Sequence, residues 1–289
     1  ITYDTPVADV WPEFAANGKD RILLRHILSH TSGLHALPVG LTQADILDWN
    51  RICDVLAHEK PSSAPGELQT YHAVTYGWLA GEIARRVDGR SFGQLVSEEI
   101  CRPLGIRDLY VGIPGEVEPR VAILDEEFEP GKEPKVDDSK PQSIPGFMWP
   151  LHRWMNRPDT RRACIPASNG IMSARAIARH YAALVPEGVD GVELLPPGRI
   201  KKATVLQMPK VVLPGAEPPR RGMGYGIGWK VSQTVDLPAA FGGGGYGGSF
   251  GFADPDHRFA VGFTKNFFSP RGATGLVLYE LCKALGITA

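Results

Sequence analysis

Helix-patterned and strand-patterned stretches are segregated along this chain, and that segregation limits its fold more than any other feature does. The first third carries apolar residues at helical spacing, as in "DRILLRHILSHTSGL" (20–34) and "TQADILDWNRICDVLAHE" (42–59), with Thr42 as a helix cap. Two more helices are expected over 74–89, closed by Gly89, and 91–105, stopped by Pro103 and Gly105. A further helix is expected over 168–185, with Ser168 near its cap. The last third changes period. "MGYGIGWKVSQ" (223–233), "AAFGGGGYGGSFGFADP" (239–255) and "RFAVGFTKN" (258–266) are rich in aromatic and β-branched residues between turn signals, and "GATGLVLYELCKALGI" (272–287) closes the chain as a helix. Helices first and strands last predict an α+β protein with an antiparallel sheet. One domain is expected over 1–289. Its first part, 1–200, is mostly helical and contains an acidic, proline-rich loop at 114–146; residues 201–289 supply the sheet and the closing helix.

That loop has two readings, a solvated mobile segment or a wall beside a pocket. A net charge of −1 gives no reason to expect nucleic acid or an anionic membrane as a partner, and paired cations such as Arg220-Arg221 are expected to be solvated surface charge. No apolar run is long enough to span a bilayer. Cys53, Cys101, Cys164 and Cys282 are widely spread, with no C-x-x-C pair, and are expected as buried thiols. His26, His30 and His35 invite a metal reading, but the segment is not H-E-x-x-H, and neither a metal nor a cofactor is expected.

"GGSFG" (247–251) fits the G-x-S-x-G pattern of a nucleophilic serine. That pattern requires a strand, the serine on a strained turn, and then a helix. Ser249 is followed by "FGFADPDHRF", which is patterned as strand and turn, so it is expected to lie outside the chemistry. The glycines of 242–245 suit either close approach of a ligand to the backbone or close packing of neighbouring strands.

Five segments in order resemble the serine β-lactamase-like hydrolases, a family that includes class C β-lactamases, DD-peptidases and family-eight esterases. They are "RHILSHTSGL" (25–34), "PGELQTYHAVTYGWLAGEIARRVDG" (65–89), "ICRPLGIRDLYVGIP" (100–114), "IPASNGIMSARAIARHYAAL" (165–184) and "FGGGGYGGSFGFADP" (241–255). The resemblance implies a five-stranded antiparallel sheet beside a helical subdomain, with the active site between them. It also implies acyl transfer through the serine of an S-x-x-K motif. Tyr71 matches the motif tyrosine that helps to take the serine proton, which requires a nearby cation. Gly243-Gly244-Gly245 aligns with the family's third motif, so Gly244 and Gly245 would border the substrate and the Tyr246 N–H would serve the oxyanion hole. Ala73 stands where β-lactamases have Asn, and Gly243 where the family has Lys or His. Both departures favour uncharged esters over carboxylated lactams.

S-x-x-K occurs nowhere in the chain. The resemblance places that motif upstream of "DTPVADVWPEF" (4–14), so the chain is expected to begin after the nucleophile-bearing helix and to be inactive alone. "RFAVGFTKN" would then be an exposed sheet edge prone to self-association. The alternative is a non-catalytic binding or assembly module that keeps the pocket.

Overall fold

The structure is a computed structural model that describes residues 1–128, 131–215, 217, 219–269 and 274–287. The helical part begins with α1 (Val7–Val10), α2 (Leu24–Leu28), α3 (Gln43–Leu47), α4 (Trp49–His58) and α5 (Thr75–Asp88). A short α6 (Phe92–Leu95) runs on into a π-helical turn at Val96–Cys101. The Thr42 hydroxyl caps α3 by accepting from the Asp45 N–H, and Gly89 closes α5 at φ 91°, as their residue types predict.

Two of the N-terminal helices are shorter or more broken than their patterns predict. The helix expected from Asp20 starts only at Leu24, because a turn closed by Ile22 N–H on Lys19 C=O and then an extended bridge precede it: Ile22 C=O accepts from the Val7 N–H, and Leu23 bridges Pro6. The helix expected over 42–59 is two, because Asp48 is extended and its carboxylate caps α4 at the Arg51 N–H.

Strand β1 (Leu109–Val111) pairs antiparallel with β3 (Gly170–Met172), and β2 (Asp125–Glu126) lies between them in sequence. Residues 170–172 are therefore strand, not helix. The following helix, α9 (Ala174–Ala182), comes after α7 (Leu151–Met155) and α8 (Pro158–Arg162) and is capped by Ser173 rather than Ser168. Tertiary pairing with β1 overrides local helix propensity there.

After α10 (Pro197–Ala203) comes the main sheet, formed by β4 (Gly226–Lys230), β5 (Asp236–Gly244), β6 (Phe250–Asp254) and β7 (Phe259–Phe263). It is antiparallel throughout, in the order β4-β5-β6-β7. The stretch 239–255 forms two of these strands, with the turn at 245–249. β7 is the edge, and among the described residues no strand pairs with its outer side. α9 packs against β6 and β7 closely enough that a Cβ on Gly251 would meet Ile177 and Tyr181, and one on Gly262 the Ala174 carbonyl. β8 (Phe267–Phe268) pairs parallel with β2, and α11 (Thr274–Ala284) packs Leu278 and Cys282 into the sheet core with Leu237 and Phe252. The expected start of that helix at 272–273 lies outside the described residues. A separate core, centred on Trp11, Phe14, Ile52 and Trp78, holds the N-terminal helices together. Cys53, Cys101 and Cys282 are buried free thiols, and Cys164 is a half-buried one.

Candidate active site

A cavity of about 1720 Å³ opens between the C-terminal end of β5 and the helical part. Val117, Val121, Leu124 and Ile144 of the acidic segment line it, so that segment is a wall of the site. Tyr71, Gly244, Gly245 and Tyr246 also line it, brought together from positions some 170 residues apart in the chain.

Tyr71 is set by the backbone around it. The chain crosses from 30 to 72 through Thr70 N–H donating to His30 C=O (3.0 Å) and His72 N–H donating to His30 Nδ1 (3.1 Å). His30 adopts φ 61°, a left-handed conformation that turns its ring toward Tyr71, Tyr76 and His72, at centroid distances of 5.0, 4.7 and 5.2 Å. Tyr71 itself, beside buried His30, is 55% exposed. The Arg221 guanidinium lies 4.7 Å from the Tyr71 ring centroid and is the cation that the site sets beside this phenol.

The protonation of His72 follows from its partners. Its Nδ1 lies 2.6 Å from the Thr70 carbonyl, which only accepts, so Nδ1 carries the proton. Its Nε2 therefore accepts from the Ser32 hydroxyl at 2.7 Å. Burial, with help from neighbouring charge, lowers the His72 pKa to about 4 and that of His30 to about 3, so both are neutral at neutral pH. The Ser32–His72 pair has the look of a nucleophile and its base, but Ser32 is fully buried and does not border the cavity. It fixes the His72 ring.

The opposite wall is the end of β5. Its pairing with β4 stops at Gly226↔Gly242, whereas its pairing with β6 continues through Gly243↔Gly251 and Gly244↔Phe250. Gly243 and Gly244 thus have a backbone edge beyond the end of β4. A Cβ at Gly242 would collide with the Gly251 carbonyl and with Phe252, whereas one at Gly243 would meet nothing within 4 Å. Packing therefore does not require a glycine at 243. Tyr246 stands on Trp149 and Phe268, and its hydroxyl donates to Glu126 Oε1 at 2.8 Å. Burial, then the Glu126 carboxylate, push its phenol up to about 12. The Tyr246 N–H makes no hydrogen bond among the described residues.

Ser249 borders the same cavity, but its hydroxyl accepts from Lys265 N–H (3.1 Å) and lies 3.5 Å from the Lys265 carbonyl, between β6 and the end of β7. A strand precedes and follows it, without the elbow helix. His26 Nδ1 accepts from the Leu23 N–H and His35 lies beside Ser62, so these histidines are engaged separately. Among the described residues no group of three His, Cys, Asp or Glu is placed to hold a metal. Arg221 was missed at the level of sequence, where it read as surface charge. His72 was missed too, because its role depends on burial.

Residues 1–279 match the family described as Beta-lactamase. The chain is 31% identical over 283 residues to the esterase/beta-lactamase LipL of Mycobacterium tuberculosis, a match that covers 92% of this chain and 63% of LipL. It therefore spans less than two thirds of that relative's length. Among solved structures, a penicillin-binding protein homolog from Caulobacter crescentus is 34% identical, with a TM-score of 0.79 over 99% of this chain and 77% of that one. A family VIII carboxylesterase is 33% identical, with a TM-score of 0.80 over 98% and 77%. EstA from Arthrobacter nitroguajacolicus Rue61a, at 24% identity, shares the fold with a TM-score of 0.86 over 99% and 78%.

Proposed function

This chain belongs to the beta-lactamase family, and from that premise we propose that it forms most of an esterase-like serine hydrolase, one unit across 1–289, acting through an acyl-enzyme on an ester or small amide. The observation that carries the reading is the meeting of Tyr71 and the Gly243–Tyr246 end of β5 in one cavity. The nucleophile is assigned to an S-x-x-K serine supplied by polypeptide upstream of Ile1, since no such motif occurs within the chain.

Tyr71 takes the serine proton, with the Arg221 guanidinium over its ring as the neighbouring cation. The Tyr246 N–H, free of other acceptors, donates to the oxyanion that develops on the substrate carbonyl. Gly244 and Gly245 let the acyl group lie against the strand edge. With Ala73 and Gly243 offering no side-chain donor, an uncharged ester fits better than a carboxylated lactam. The esterase names of LipL and the family VIII carboxylesterase support the same choice.

The test is fluorophosphonate labelling of this chain and of an N-terminally extended form, with the adduct mapped by mass spectrometry. Labelling of the extended form alone, at an S-x-x-K serine, is the expected result. A folded extended form that does not label would make the cavity a binding module, and an adduct at Ser249 would overturn the site assignment.

A further inference from the structure

The chain as a whole is nearly neutral, yet one surface beside the cavity is both strongly basic and apolar. Residues 199–215 contain Arg199, Lys201, Lys202 and Lys210 and no acidic residue, and Glu217 is the one acid between them and Arg220. All four are exposed, as is Arg220, and none of the five forms an ion pair among the described residues. Between Lys202 and Arg220, with Lys210 among them, is a run of exposed aliphatic side chains: Val205 (57%), Leu206, Met208 (57%), Val211, Val212 and Leu213 (60%). Scattered exposed aliphatics are ordinary, but six within nine residues, flanked by unpaired cations, are not.

The strip is anchored at the rim of the site. The Gln207 N–H donates to the Arg221 carbonyl (2.7 Å), and the Lys210 and Val211 N–H groups donate to the carbonyls of Gly66 and Glu67, a few residues before Tyr71. Pro219, Arg220 and Arg221, at the end of the same segment, line the cavity itself.

The geometry points to a docking surface for an anionic lipid–water interface. Aliphatic side chains enter the acyl boundary, lysine and arginine heads meet anionic headgroups, and the cavity mouth is held at the interface. Charge complementarity selects this occupant, because a purely apolar partner leaves the cations without a role. The overall charge of −1 concealed this, because it averages a basic strip against the acidic segment of 114–146. The inference stands independently of the hydrolase reading, since docking needs no nucleophile.

The experiment is flotation of the chain with vesicles of phosphatidylcholine alone and of phosphatidylcholine with 30 mol% phosphatidylglycerol, approximating the charge of an anionic leaflet. Binding to the anionic vesicles only is expected, weakened at least about tenfold by Lys201→Glu/Lys202→Glu and by Leu206→Asp/Leu213→Asp. These residues are exposed, and circular dichroism verifies that both variants fold. Equal binding of folded variants and parent, or no binding to either vesicle, overturns the proposal. So does a parent that self-associates through the strip, with the aspartate variant becoming monomeric and neither form binding vesicles.

Discussion

His72 offers a direct test of how the Tyr71 segment is built. Its ring is almost fully buried and accepts from Ser32, and its pKa is lowered to about 4. An unfolded-state histidine titrates near 6.5. The folded pKa lies below the unfolded one, so between these values the unfolded chain binds the extra proton. The stabilisation is therefore complete above about pH 6.5 and is lost as pH falls toward 4. Integrated from pH 7 to pH 5, one such histidine costs about 2 kcal/mol of stability. His30 is held at about 3 chiefly by burial, which the variant keeps, and only secondarily by His72, so it stays neutral in the folded protein down to pH 5 and alters the difference little. The perturbation is His72→Asn, read by urea unfolding at pH 7, 6 and 5. At pH 7 the variant is expected to be less stable by about 1–3 kcal/mol, since Ser32 loses a buried partner. By pH 5 that gap is expected to narrow by about 2 kcal/mol, because asparagine takes up no proton in either state. A gap that stays constant from pH 7 to 5 would refute a neutral buried His72, and with it the tautomer assigned here.

The two kinds of glycine at the end of β5 separate by stability: Gly242→Ala is expected to cost about 1–3 kcal/mol through overpacking against Gly251 and Phe252, and Gly243→Ala under about 1 kcal/mol, both by urea titration. In an extended form that labels with fluorophosphonate, Tyr71→Phe is expected to lower kcat by about 10²-fold or more with KM little changed, measured on a nitrophenyl ester; an unchanged kcat removes Tyr71 from proton transfer. Ser249→Ala in that same form is expected to leave labelling and kcat intact, and a loss of labelling would restore Ser249 as a candidate nucleophile.

Helix ends defined by a single residue's chemistry were legible: Thr42 caps through its hydroxyl, and Gly89 turns left-handed, in the structure as in the pattern. What the pattern could not carry were the places where distant backbone competes with local propensity. Ile22 and Leu23 have the spacing of a helix yet are held extended by Val7 and Pro6, and Gly170–Met172 is drawn into a strand by Leu109–Val111. The site divides in the same way. Tyr71 and the β5 glycines were found because their neighbours in sequence carry the resemblance. Arg221 was not, because its contact with Tyr71 exists only once the Gly222–Gly224 turn, donating from Gly224 N–H to Leu28 C=O, has folded back on α2.

The acidic segment shows why composition alone misjudges such a stretch. Most of its charges face solvent, as a mobile loop would have them, but Glu126 does not: its carboxylate is buried, accepts from the Tyr246 hydroxyl at 2.8 Å and meets His152 Nδ1 at 2.9 Å. The strand that carries it pairs with Phe267–Phe268, and Phe268 packs on the Tyr246 ring. Two independent contacts therefore fix Tyr246, whose N–H has no hydrogen-bond partner among the described residues, one from the carboxylate and one from the aromatic stack. A hydrogen-bond donor helps a developing oxyanion only if it is already in place when charge appears. Glu126 thus ties this part of the segment into the wall that orients Tyr246.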